Sequence, residues 1–409
     1  MTTVEAWNNV ENILCIRLDS LGDVLMTTPA IRAIKESRSG CRITLLTSPA
    51  GQAIASLVPE IDDVIVYDAP WMKATSPREN SRPEFDMVER LRRFQFDAAV
   101  IFTVFSQNPL PSAFLCYLAD IPLRLAHCRE NPYQLLTNWV LEPEPHSGIR
   151  HEVRRQLDLV ATVGCQTQSA SLSLGVPQLA NYRVRKILQE LGIDWEQPLV
   201  VIHPGATAPS RCYSAEGFAA VARHLALDVN FQVLFTGTEP ERQLVEGIQT
   251  AMGVPSYSLV AALDLSELVA LIAIASLLIS NNTGPVHIAS ALGTPVVDLY
   301  ALTNPQHTPW AVPHRVLFHD VPCKFCYKSI CQEGHHNCLR LVTPQEVVQA
   351  ACELYKEGRD KAEEDDTGTQ GRGDTGKIPL TASPRLPLTA SSPSPLSPAS
   401  LQSAKEVWQ

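Results

Sequence analysis

The sequence predicts an α/β protein built from two Rossmann-like domains with parallel sheets, and three observations predict it. The apolar run Asn12 to Leu18 passes through the loop Asp19-Ser20-Leu21-Gly22-Asp23 into a helical stretch, Val24 to Glu36. A similar opening recurs at Leu199 to Ile202, which runs into His203-Pro204-Gly205. Between and after these, short apolar runs alternate with segments of helical length, the pattern of a doubly wound sheet.

Taken in order, Ile43 to Leu46, Val64 to Tyr67 and Ala98 to Phe102 read as further strands of the first domain. Pro29 lies inside the first helix and predicts a kink near its early turns. Arg90, Arg92 and Arg93 fall on a helix before Phe94, either as a solvated face or as a contact for an anionic acceptor or membrane surface. His151 to Val163 is an amphipathic helix, after which the composition loosens. The expected division is 1–172 for the first domain and 173–356 for the second.

In the second domain Arg183 to Leu191 reads as helix and Ser214 caps the helix Ala215 to Leu225. Phe231 to Phe235 is a strand ending in Thr236-Gly237-Thr238-Glu239-Pro240-Glu241. Ser266 to Ala275 is helix, and Leu277 to Ile279 a strand. That strand ends in Ser280-Asn281-Asn282-Thr283-Gly284-Pro285-Val286-His287, a tight turn into the helix Val286 to Leu292, with Thr283 or Asn282 offering a capping oxygen. Val296 to Leu299 is one more strand. Residues 357–409, rich in Ser, Pro, Thr and Gly, read as a disordered tail, because they cannot bury enough apolar surface to offset their ordering entropy.

Composition narrows the function classes. With 409 residues, 45% hydrophobic and 19% charged, the chain is long enough for two cores. A formal net charge of -10 argues against nucleic acid as the main partner. Met1 to Asn12 shows no secretory signal, and the longest apolar stretch, Leu268 to Ile279, is too short to span a bilayer. The expected location is therefore cytoplasmic, with peripheral contact at the cytoplasmic membrane as a further option. An odd count of 11 cysteines suits reduced thiols.

Three loops of the second domain fall at the carboxyl ends of parallel strands, where open α/β sheets bind ligands. They are His203 to Arg211, which includes Thr207, then Gly237 to Glu241, and Asn282 to His287. Arg211 offers a planar, permanently charged fork suited to a diphosphate, and Glu241 could accept two ribose hydroxyls. Thr283, Gly284 and the helix start with His287 beside it would hold phosphate oxygens. Each has a plainer reading as well: a surface arginine, a helix-start carboxylate, a satisfied core histidine. In the first domain Asp23 could take a proton from an attacking hydroxyl, or merely stabilise its helix N-terminus; Gly22 permits close approach and Asp19 is a weaker candidate.

The motifs Arg17 to Asp23, His203-Pro204-Gly205, and Ser280 to His287 with Ala289 and Ala291, occurring in that order, resemble glycosyltransferase family 9, the lipopolysaccharide heptosyltransferases, over about residues 12 to 355. The resemblance implies a GT-B architecture, two Rossmann-like domains facing a cleft, with the nucleotide sugar on the second domain and the acceptor on the first. It implies Asp23 as catalytic base, Arg211 where the family usually has a phosphate-binding lysine, Glu241 on the ribose, and Thr283, Gly284 and His287 on the diphosphate. Thr207 and Asn282 join the donor side, and Gly22 and Asp19 the acceptor side. The implied reaction is inverting and metal-independent and needs no cofactor. Its donor is a nucleotide sugar, with ADP-heptose the leading candidate, and its acceptor is a lipopolysaccharide core or another envelope glycan.

Two departures stand out. Asn282 replaces an aspartate common in the family, exchanging an acceptor-only group for a mixed one, and Arg211 alters the geometry of a lysine. The spacing Cys323-x2-Cys326-x4-Cys331-x6-Cys338, with His335 and His336 nearby, is compatible with a structural metal site, although reduced thiols are the expected state. A nucleotide-sugar epimerase, a transferase for another nucleotide sugar and a non-catalytic nucleotide-sugar-binding protein are the competing readings.

Overall fold

The computed structural model describes residues 3–73 and 75–368. A short helix α1 (Thr3–Trp7) precedes the first Rossmann-like layer. That layer runs β1 (Asn12–Arg17), α2 (Leu21–Ser37), β2 (Arg42–Thr47), α3 (Pro49–Ala55), β3 (Asp63–Val66), α4 (Arg82–Phe94), β4 (Ala98–Ile101), α5 (Leu110–Leu118), β5 (Leu123–Cys128), β6 (Asn138–Leu141) and α6 (Glu152–Ala161). The second runs α7 (Gln178–Glu190), β7 (Leu199–His203), α8 (Ala215–Leu227), β8 (Gln232–Phe235), α9 (Arg242–Met252), β9 (Tyr257–Ser258), α10 (Leu265–Ile274), β10 (Leu277–Asn281), α11 (Gly284–Leu292), β11 (Val296–Leu299) and β12 (His314–Leu317). Helices α12 (Asn337–Arg340) and α13 (Pro344–Gly368) complete it.

The strands form two parallel six-stranded sheets, ordered β3-β2-β1-β4-β5-β6 and β12-β11-β10-β7-β8-β9. In both, strand order reverses between two central strands: β1 and β4 in the first sheet, β10 and β7 in the second. At such a reversal the outgoing loops diverge to opposite faces and leave a crevice at the carboxyl ends, the place where a ligand can enter. The central strands are buried apart from Asn12 at the start of β1, as strands covered by helices on both faces must be.

Helix α2 carries the contact between the halves. It packs on α6 within the first domain and on α11 across the gap. One buried cluster accordingly runs from Val24, Leu25 and Ile31 through Val269 and Ile272 to Val286 and Ala289. The segment after α6 still bonds to the first domain, with Ser173 N–H donating to Thr28 Oγ1 at 2.8 Å and Gly175 N–H to the Leu57 carbonyl at 2.8 Å. The second domain then begins to pack at α7, which lies on α10.

Helix α2 starts at Leu21, three residues before the expected Val24, because Ser20 and Asp23 form a capping pair. Helix α13 continues to Gly368, so the first residues of the expected tail are helical; residues 369–409 lie outside the described residues. Its early turns are anchored by Val347, Ala351 and Leu354, packed beside α8. Among the described residues no helix is long and apolar enough to cross a membrane.

Candidate active site

The first sheet delivers Arg17, the last residue of β1, into a fully buried position. Its guanidinium holds three carboxylates: Asp19 at 2.9 Å, Asp23 at 3.0 Å and Glu152 from α6 at 2.7 Å. Asp23, in the first turn of α2, accepts from Arg17 through Oδ1 and from Ser20 N–H (3.1 Å) and Ser20 Oγ (2.7 Å) through Oδ2. It completes the helix start, as one of the two readings expected, and it also lines the gap between the domains. Burial pushes its carboxyl up, but Arg17, His307, Ser20 and His287 together outweigh burial and bring it down to about 2, so it is ionised at neutral pH. Asp19 goes the other way, raised to about 6 chiefly by burial against the pull of Arg17. It bonds to Gln107 and stands behind the gap rather than on its wall.

The second sheet brings two helix-start loops to the same gap. At the end of β10, Thr283 is in extended conformation and α11 begins at Gly284, with Pro285 in the first turn. The expected side-chain cap does not form: Thr283 Oγ1 donates back to the Asn281 carbonyl at 3.1 Å, and Asn282 is engaged elsewhere. No side chain caps α11, Pro285 has no N–H and Val286 N–H donates to the Thr283 carbonyl at 3.1 Å, so the Gly284 N–H and the positive end of the helix are what the turn offers an anion. Asn281 is structural; it accepts from Tyr213 N–H at 3.0 Å and donates to the Pro204 carbonyl at 2.7 Å, tying the β7 loop to the β10 turn.

Asp23, Ser20, Gly22 and Met26 from one domain meet Arg211, Asn282, Thr283, Gly284, His287 and His307 from the other around a pocket of ≈ 130 Å³, or ≈ 450 Å³ with its open mouth. Glycines make the approach possible. A β-carbon on Gly22 would lie 2.4 Å from His287 Cδ2, and one on Gly284 would lie 3.3 Å from Leu21 Cδ2. The N-termini of α2 and α11 therefore abut, and both point their positive ends at the pocket.

Arg211, at the end of the 3-10 turn Pro209–Arg211, donates only weakly to the Asn282 carbonyl (3.4 Å), and its Nε has no partner among the described residues. A guanidinium in that state on a pocket wall suits an anion. His287 is brought down to about 3 by burial first, then by His307, so it is neutral; its Nδ1 has no partner among the described residues. Glu241 sits apart from this pocket, at the neighbouring loop. Its Oε2 accepts from Thr238 N–H (2.6 Å) and Oγ1 (2.9 Å), and Oε1 fills the space that a side chain at Gly205 would need. Thr207 is exposed and does not line the pocket.

Sequence reasoning missed His307 and Asp298. His307 ends the 3-10 turn Pro305–His307 beyond β11, a fourth loop at the same sheet edge, and Asn304-Pro305 after a strand was the available signal. Burial lowers its imidazole, with Asp23 and Glu152 opposing.

A larger cavity of ≈ 300 Å³ opens beside Tyr67, Met87 and Arg90 on the first domain. Its Arg78 is already held by Glu84 at 2.5 Å.

A family model, glycosyltransferase family 9 (heptosyltransferase), matches residues 85–336. The chain belongs to glycosyltransferase family 9. It is 25% identical over 360 residues to lipopolysaccharide heptosyltransferase 2 of Escherichia coli K12, covering 82% of this chain and 96% of that enzyme. Among solved structures, a family 9 glycosyl transferase from Veillonella parvula superposes with a TM-score of 0.70 at 20% identity, covering 85% of this chain and 97% of that one. The E. coli ADP-heptose lps heptosyltransferase II superposes with a TM-score of 0.65 at 22% identity, covering 85% and 99%. The protein is a glycosyltransferase of GT-B architecture, and the expected family and fold are both borne out. In this family 9 enzyme Cys323, Cys326, Cys331 and Cys338 are free thiols, with Cys323 Sγ 3.8 Å from His335 Nε2. Among the described residues no three His, Cys, Asp or Glu side chains are grouped to hold a metal ion.

Proposed function

We propose that this glycosyltransferase moves a heptose, with inversion, from ADP-heptose to a lipopolysaccharide core or another envelope glycan, with no metal ion taking part. The observation that carries the proposal is the sharing of one pocket by Asp23 and by Arg211, Thr283 and His287. Donor and acceptor preferences are drawn from the heptosyltransferases named above.

In this reading the diphosphate lies on the α11 N-terminus against Arg211, and the ribose reaches Glu241. The acceptor hydroxyl approaches from the α2 side. As its oxygen bonds to the anomeric carbon, the hydroxyl proton passes to Asp23, and the bond from that carbon to the phosphate oxygen breaks with its electron pair leaving on the diphosphate. Attack opposite the leaving group inverts the centre. The departing charge is met by Arg211 and by the positive end of α11, the work a divalent cation does in other transferases.

A thermal-shift panel of ADP, GDP and UDP tests the donor side. Ligand at about 100 times its Kd stabilises the folded state by about 2.7 kcal/mol, and ADP is expected to give the largest shift. Transfer to a heptose-accepting core in the presence of EDTA, with the product's anomeric configuration read by NMR, tests the rest. Conversion of the nucleotide sugar without any acceptor would point to an epimerase instead.

A further inference from the structure

Two neighbouring residues at the start of α6 reach in opposite directions. Glu152, fully buried, accepts from Arg17 at 2.7 Å and so steadies the guanidinium that holds Asp23. His151, the residue before it, crosses to the second domain. Its Nδ1 accepts from Val153 N–H at 3.2 Å, which caps α6 and leaves the ring proton on Nε2. Nε2 donates that proton to the Thr308 carbonyl at 2.9 Å. Burial first brings this imidazole down to about 4, so at neutral pH it is uncharged, as one donor and one acceptor require.

The loop after β11 that carries Thr308 is held at two further points. The Trp310 ring lies 4.4 Å from the His151 ring, centroid to centroid, and Trp310 Nε1 donates to the Ala170 carbonyl at 2.8 Å, in the segment that joins α6 to α7. On its other side the loop presents His307, which lines the pocket and whose carbonyl accepts from Asn282 Nδ2 at 3.2 Å. Both walls of the pocket thus trace back to one helix start: Asp23 through Arg17 and Glu152, and the second domain's loop through Thr308 and His151. His151 and Trp310 do not themselves line the pocket.

We infer that His151 is a positioning residue for the transfer: with Trp310 it braces the loop 304–310 of the second domain against α6 and fixes how far the donor-side wall stands from Asp23. The inference rests on the proposed role of Asp23 and goes beyond it, by naming what sets that carboxylate's place relative to the donor. One hydrogen bond and one ring contact across a domain junction are too little to decide whether either domain folds, and enough to decide where a loop lies.

The test compares full-length wild type, His151→Asn and Trp310→Leu in transfer kinetics, ADP calorimetry and backbone hydrogen exchange. Asparagine at 151 keeps a capping oxygen for Val153 N–H but is too short to reach Thr308 and has no ring to stack on Trp310. Both variants are expected to lower kcat by about tenfold or more with the Kd for ADP within about threefold of wild type. Both are also expected to speed amide exchange in 304–312 by about tenfold or more, with β7 and β10 unchanged. Because His151 acts through the placement of Asp23, the losses should not add: on an Asp23→Asn background, His151→Asn should lower kcat by less than about threefold further. Unchanged kcat, equal weakening of ADP, unchanged exchange or additive losses overturns the inference. Failure of both variants to fold, read by circular dichroism, also overturns it, since these residues would then be holding up the fold rather than placing a loop. A wild type that transfers sugar from no ADP, GDP or UDP donor overturns the proposed transfer instead, and exchange measured without substrate then decides the brace alone.

Discussion

Adding one methyl group at Gly22 probes how closely the two domains must meet. The residue is second in α2 and has no left-handed backbone, so on helix propensity alone alanine there would stabilise by up to about 1 kcal/mol. Its β-carbon, however, would sit 2.4 Å from Cδ2, 3.1 Å from Nε2 and 3.2 Å from Cγ of His287, about 1 Å short of ordinary carbon contact. His287 is buried at 6% exposure, and the methyl meets the Cδ2 edge of a ring closed in on its other sides, so the cheapest relief is for α2 and α11 to part by about that distance. Asp23, next in sequence, moves with α2, while Arg211 and Thr283 stay with the second domain. A misplacement of about 1 Å between reacting groups costs about 100-fold in rate. Gly22→Ala should therefore lower kcat by about two orders of magnitude while ADP, bound by the second domain, titrates within about threefold of wild type. Steady-state transfer kinetics with calorimetry read both. Wild-type kcat together with a raised Tm would refute the reasoning, because it would mean that the helix starts do not abut.

Two further substitutions separate the halves of the site. Gly205→Ala would place a β-carbon 1.7 Å from Glu241 Oε1 and displace that carboxylate, so ADP affinity should fall by about tenfold in calorimetry, the reverse of the Gly22 pattern. Arg17→Met strands three carboxylates and should cost about 3–5 kcal/mol in denaturant unfolding at neutral pH. Asp23 and Glu152 have native pKa values below their unfolded ones. Their contribution in the wild type is complete above about pH 4.5 and fades as pH falls through the native values. Asp19, raised to about 6, contributes with the opposite sign, its share falling as pH rises through that range. Without the guanidinium, burial is the largest influence on all three and is opposed only by the weaker pull of Ser20 and His307 on Asp23, Gln107 on Asp19 and Arg155 on Glu152, so all three rise and the variant's deficit should be largest near pH 8 and smallest near pH 4.5. A deficit independent of pH would contradict the triple pairing.

The parts of the fold that could be read from the sequence are those where one physical signal dominates. The strands β1, β7 and β10 are covered on both faces and so appear as unbroken apolar runs, and their outgoing loops had to be the ligand loops. Strand β5 was not legible, because Arg124 and His127 interrupt it; both are buried, and Arg124 spends its donors on the carbonyls of Leu135 and Gln134 at 2.8 Å each, pairings that exist only once the chain is folded. The same reason hides Arg17's role, since one partner, Glu152, lies 135 residues away. Asp23, Arg211 and the Thr283 to His287 turn could be picked out because helix starts and motif order mark them. Asp298 could not be, since only sheet register places it behind Asn282, whose amide donates to it at 3.0 Å. Thr207 shows the converse limit: a loop can be assigned to the sheet edge without fixing which of its side chains turn inward.

The central claim is that an ionised carboxylate on the first domain takes the acceptor's proton across the gap from the bound diphosphate. Transfer by Asp23→Asn, measured on folded protein whose ADP affinity has been verified by calorimetry, tests it most directly. The account predicts a loss of at least about 100-fold in kcat with ADP binding within about threefold of wild type. Near-normal transfer by that variant would contradict it.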